Sequence, residues 1–200
     1  MPGHTKIAII GWGSLIWDLD VLAPQTDLNW RMNAGPRLAM EFTRVSPKRK
    51  FGLAVCLDDI SGVECPTHVI ASTRDDIADA VRDLAIRERT DPQNIGAVCR
   101  NTGLSNSTRD QVARAVDDWC VQSGFSGAVW TDIGPNFHES NGEAFTVERG
   151  IAYLQTLREE SLDEAVRYIE NAPHGTDTPL RRALSREPWW VQEAMRLQLR

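Results

Sequence analysis

The stretch Lys6-Ile7-Ala8-Ile9-Ile10-Gly11-Trp12-Gly13-Ser14-Leu15-Ile16-Trp17 decides how the rest of the chain is read. Lys6 to Ile10 is five residues, four of them apolar, which suits a buried strand and is too short for a helix. It runs into Gly11-Trp12-Gly13-Ser14, where two glycines permit a sharp turn and leave backbone N–H groups uncovered by side chains. Such a loop can present donors to an anionic or carbonyl oxygen, which makes it a candidate ligand cradle. A tight turn without a ligand fits the same residues. Three other readings fail on sequence. A dinucleotide fingerprint needs a third glycine where Ile16 stands, with a helix pattern after it. A P-loop needs a lysine that is absent, and a nucleophile elbow needs glycine where Trp12 and Ile16 flank Ser14.

Downstream, residues 18–36 carry Pro24, Gly35 and Pro36 with little periodicity and read as irregular cover, with Trp17 and Trp30 as packing residues. Alternation predicts strands over residues 38–45, 51–57 and 67–72, separated by turns at 46–50 and 58–65. The clearest helix follows. Thr73 is its expected N-cap, Asp75 and Asp76 complement the dipole of its first turn, and Ile77, Ala80, Val81 and Leu84 form its apolar face. Four residues beyond Leu84 lies Glu88, between Arg87 and Arg89. A carboxylate on the core side of a helix C-terminus has its charged form disfavoured by burial and by the helix dipole. An arginine closing on it opposes both effects. A group so placed is a candidate general acid/base. A helix that frays before Glu88 would leave it in water instead.

Residues 94–100 read as a further strand, Ser107 as the start of a helix with Val112, Ala115, Val116 and Trp119 inward, and residues 128–131 as a short apolar strand. His138, Glu139 and Glu143 lack the second histidine of a zinc-protease helix and are read as a loop. The four histidines, His4, His68, His138 and His174, are scattered, so no metal is expected. The C-terminal third, from about residue 145, reads as helices over 145–157, from a Ser161/Glu164 capping box, after Thr178, and from Pro188 through 189–199. Trp189-Trp190 would pack the last helix onto the body, or onto a second copy in a homodimer.

Two hundred residues suit one domain with a sizeable core, and 42% hydrophobic with 25% charged residues is an ordinary globular composition. A net charge of −6 argues against nucleic acid or an anionic membrane as the main partner. Cys56, Cys65, Cys99 and Cys120 form no Cys-x-x-Cys pair and sit among apolar residues, as reduced thiols of a cytoplasmic protein do. The sequence shows no secretory leader pattern and no apolar run of membrane-spanning length. Strands dominate early and helices late, which predicts an α+β fold.

The opening motif resembles that of the γ-glutamylcyclotransferase superfamily, and in particular its ChaC-type, glutathione-degrading branch, with Trp12 where that branch has Tyr. Asp83-Leu84-Ala85-Ile86-Arg87-Glu88 resembles the segment in which those enzymes carry their catalytic Glu. A looser likeness joins Phe42, Arg44, Ser46 and Arg49 with the strand that follows, and a weak one reaches about Leu184. Residues 104–137 share least. The resemblance implies a single domain over residues 1–200, built as a mixed, partly closed β-barrel flanked by helices. It implies Glu88 as the catalytic residue and Gly11, Trp12, Gly13, Ser14 and Leu15 as the substrate-binding loop, without metal or cofactor. The implied reaction cyclises the γ-glutamyl group of a small peptide or amine conjugate to 5-oxoproline and releases an amine. A non-catalytic small-molecule binder with the same loop is the alternative, and a hydrolase using Ser14 as nucleophile a more distant one.

Overall fold

The computed structural model describes residues 6–198, so His4 and Leu199 lie outside the described part. The fold is α+β: eight strands in two sheets and seven α-helices among the described residues. The chain divides into two compact units, one comprising the chain up to Leu38 with Pro66–Ile133, the other Ala39–Cys65 with the chain from Gly134 onward.

In the first unit, β1 (Ile7–Gly11) is buried along its whole length. It pairs parallel with β8 (Gly127–Thr131) and antiparallel with β5 (His68–Ala71). The sheet continues through β6 (Ile95–Cys99) to an edge strand, β7 (Leu104–Asn106), in the order β5-β1-β8-β6-β7. Burial on both faces explains why β1 reads as a continuous apolar run rather than an alternation. Ile7, Ile9, Ile70, Ala97 and Val129 form one core with Ile77, Ala80, Leu84 and Ala85 of α1 (Ile77–Glu88). A side chain of this kind contributes about 1.5–3 kcal/mol on full burial, so this seam fixes the helix on the sheet.

Several helix starts differ from the sequence expectation. α1 begins after Asp76, whose side chain accepts the Ala78 N–H, three residues beyond Thr73. α2 (Asp110–Ser123) begins after Arg109, because Ser107 is turned toward Asp132, to which it donates at 2.9 Å. The buried face of α2 is Val112, Ala113, Val116 and Cys120; Ala115 and Trp119 are only half-buried, and Trp119 stacks on Phe125.

The second unit holds the three-stranded sheet β3-β2-β4, made of β2 (Arg37–Ser46), β3 (Gly52–Leu57) and β4 (Val63–Pro66). β4 takes up the end of the segment read as a turn. Residues read as a loop form a short helix, α3 (Phe137–Asn141), because Phe137 is buried against Phe145 and Tyr153. Then come α4 (Val147–Thr156), α5 (Glu159–Asn171), α6 (Pro179–Leu184) and α7 (Pro188–Gln198). Thr146 and Thr178 cap α4 and α6 through their side chains. The Ser161 capping box does not form: α5 starts three residues earlier, after Arg158, which puts Ser161 inside the helix. Trp190 is buried and donates its indole N–H to Glu170 at 2.7 Å.

Candidate active site

The glycine loop and the end of α1 belong to the same unit, and the core described above brings them together. β1 ends at Gly11, whose missing side chain leaves room for neighbours. A Cβ there would lie 2.9 Å from the Trp30 ring and 3.2 Å from both Leu15 and Ile16. Gly13 precedes a single turn of 3-10 helix, Ser14–Ile16, at φ −127°, so it does not supply a left-handed conformation. The first bond of that turn runs from the Ile16 N–H to the Gly13 carbonyl, and the Asp18 N–H returns to Ser14. The N–H groups of Ser14 and Leu15 therefore precede the ladder, where a helical turn leaves donors without intrahelical partners.

The loop side chains divide by role. Leu15 is part of the apolar core, so only its backbone is available for recognition. Trp12 and Ser14 are buried. His68 stands opposite Gly11 in the β1–β5 register, and its Nδ1 accepts the Asn33 N–H at 2.8 Å. That contact leaves the proton on Nε2, and burial pushes the imidazole pKa down, so His68 is a neutral wall beneath the loop.

α1 reaches Glu88 without fraying. Arg74 grips Asp83 in a two-pronged ion pair at 2.7 and 3.1 Å, and the helix closes with the Arg89 and Thr90 N–H groups bonded to the Ile86 and Ala85 carbonyls. Arg89 takes the left-handed position, φ 54°, that ends the helix. Arg87 and not Arg89 approaches Glu88: its Nη1 lies 2.6 Å from Glu88 Oε1. The Arg87 side chain is 2% exposed and that of Glu88 18%. From the same guanidinium, Nη2 donates to Ser14 Oγ at 3.3 Å and to the Asp18 carbonyl at 2.5 Å. One side chain thus ties Glu88 to Ser14, a loop residue 73 positions before that arginine in the chain.

No family model, curated protein or solved structure matches this chain. The site therefore rests on its own geometry and chemistry. It offers a partly exposed carboxylate, a buried cation beside it and a glycine-flanked backbone segment. Ser14 Oγ accepts from a guanidinium, a group that cannot take up a proton, so this contact does not activate the serine as a nucleophile.

Sequence reasoning placed Glu88 on the core side and left open whether an arginine reaches it. The signal for Arg87 was present. It lies three residues after Leu84 and seven after Ala80, on the stripe already read as apolar, and a cation on such a stripe demands a buried partner.

Proposed function

We propose that the protein is a γ-glutamylcyclotransferase-like enzyme that converts the γ-glutamyl group of a small peptide or amine conjugate to 5-oxoproline. The observation that carries this reading is the Arg87 bridge, which joins the two motif segments, the glycine loop and Glu88, in one site. With the reading go a single domain over the whole chain and a mixed, partly closed β-barrel flanked by helices.

The chemistry is an intramolecular aminolysis. Glu88 removes a proton from the substrate's α-ammonium, and the freed amine attacks the γ-carbonyl carbon to close a five-membered ring. The C–N bond to the leaving amine then breaks as Glu88 returns the proton to that nitrogen, and the ring nitrogen passes its remaining extra proton to the departing amine, which leaves as an ammonium ion, so Glu88 ends as it began. Nucleophile and electrophile belong to one molecule, so the protein must hold a folded-back conformer and stabilise charge on the carbonyl oxygen. Backbone N–H groups of Gly13, Ser14 and Leu15 supply that stabilisation, and no metal or organic cofactor takes part.

The test is release of 5-oxoproline, followed by mass spectrometry, from glutathione and a panel of γ-glutamyl amino acids and amines. Glu88→Gln is expected to lose turnover by at least about 100-fold with its thermal midpoint retained. Turnover persisting in that variant would remove Glu88 from the mechanism. Ligand binding by the wild type without any release would favour a small-molecule-binding role for the same loop.

A further inference from the structure

We infer that Arg87 is a positioning residue that commits one oxygen of Glu88 to the protein and leaves the other for the substrate proton; this rests on the cyclotransferase reading above. Arg87 is itself too buried to meet a ligand, with 2% of its side chain exposed. Its contacts nevertheless span both halves of the site. Nη1 holds Glu88 Oε1 at 2.6 Å, and Nη2 reaches Ser14 Oγ and the Asp18 carbonyl. The planar fork fixes the direction of each donor, so a guanidinium anchored to the loop backbone also fixes the carboxylate it grips. Among the described residues Glu88 Oε2 has no hydrogen-bond partner, and the side chain keeps 18% of its surface. Proton transfer therefore belongs to Oε2, oriented from behind by Arg87.

The pairing also explains how a cation is tolerated there. A guanidinium taken out of water needs a nearby anion and hydrogen-bond acceptors, and Glu88, the Asp18 carbonyl and Ser14 provide them. Replacing the fork by a lysine keeps a charge but leaves one compact donor group for acceptors that lie in two directions. The carboxylate then loses its fixed orientation, and displacement of a reacting group by about 1 Å can cost on the order of 100-fold in rate.

The deciding experiment measures kcat and KM for 5-oxoproline release by wild type, Arg87→Lys and Arg87→Ala, the last with and without added guanidinium chloride at millimolar concentration. Thermal midpoints establish that each protein is folded. The expected result is kcat lowered about 10–100-fold in Arg87→Lys with KM within about 2-fold, and recovery of kcat in Arg87→Ala by guanidinium but not by methylammonium. If Arg87→Ala does not fold, the lysine variant decides alone. Wild-type kcat in folded Arg87→Lys, or a loss confined to KM, overturns the positioning role while leaving the cyclotransferase reading intact. Failure of the wild type to release 5-oxoproline from any panel member overturns that reading, and the role of Arg87 with it.

Discussion

Gly96 and Trp130 face each other across β6 and β8, and the indole lies flat over the position a side chain would need. A Cβ on Gly96 would come within 2.1 Å of Trp130 Cε2, and that ring is wholly buried. Gly96→Ala therefore forces the ring or the strand to move, and overpacking of this kind costs about 1–3 kcal/mol. At Gly11 the same change meets the tip of the half-buried Trp30 ring at 2.9 Å, a contact more easily relieved. Chemical denaturation should show Gly96→Ala as the more destabilising of the two. Equal losses would mean that Trp130 has room to turn.

Among the elements, α6 is tied to β2 through a single carboxylate. Glu41 lies beside a register shift in the β2–β3 pairing, and its side chain turns inward to accept the Leu180 N–H at 3.1 Å and the Phe42 N–H at 2.7 Å. Burial raises its pKa above the ordinary 4.5, opposed by the Thr178 hydroxyl and those two N–H groups, and the Asp58 carboxylate adds a small further rise. A carboxyl whose pKa is higher folded than unfolded binds more protons in the folded state. Its stabilising contribution is complete below 4.5 and is lost as pH rises through the folded value. Stability measured against pH should accordingly carry a decline starting near 4.5 that Glu41→Gln removes. A decline of unchanged size in the variant would assign it to another group.

Helix starts are less legible in the sequence than the face of a long helix. Thr73, Ser107 and Ser161 are all competent caps by residue type. Ser107 is diverted by a tertiary bond to Asp132, Thr73 gives way to Asp76, whose carboxylate caps the helix instead, and Ser161 is overtaken by an earlier helix start. The face of α1 survived because periodic burial sums over many residues, whereas a cap depends on one hydrogen bond worth about 1 kcal/mol.

Across the molecule the four cysteines are buried thiols outside any disulfide, two in each unit: Cys99 and Cys120 in the first, Cys56 and Cys65 in the second. Burial pushes the Cys56 thiol up to about 11 and that of Cys120 to about 12. Since the thiolate is the reactive form, both should resist alkylation at pH 8 until the chain opens. Labelling along a denaturant series, with peptides assigned by mass spectrometry, would then report whether Cys120 and Cys56 become accessible together or one unit opens first. Rapid labelling of either under native conditions would contradict their burial. Among the described residues no helix is long and apolar enough to cross a membrane.

The amino-acid sequence by itself determined β1, the glycine turn after it, the amphipathic face of α1 and the α+β order of elements. Each of these depends on short-range periodicity or on the conformational reach of glycine, both written locally in the chain. It also placed Glu88 on the correct side of its helix. Whether the helix extended that far, and which arginine closed on the carboxylate, were decided by tertiary structure. The Arg87 contact runs to Ser14 and Asp18, more than sixty positions away, and only packing of α1 on the β1 sheet brings those atoms within hydrogen-bonding distance. β7 and α3 were settled in the same way: an exposed three-residue edge strand and a single buried phenylalanine carry no periodic signal of their own.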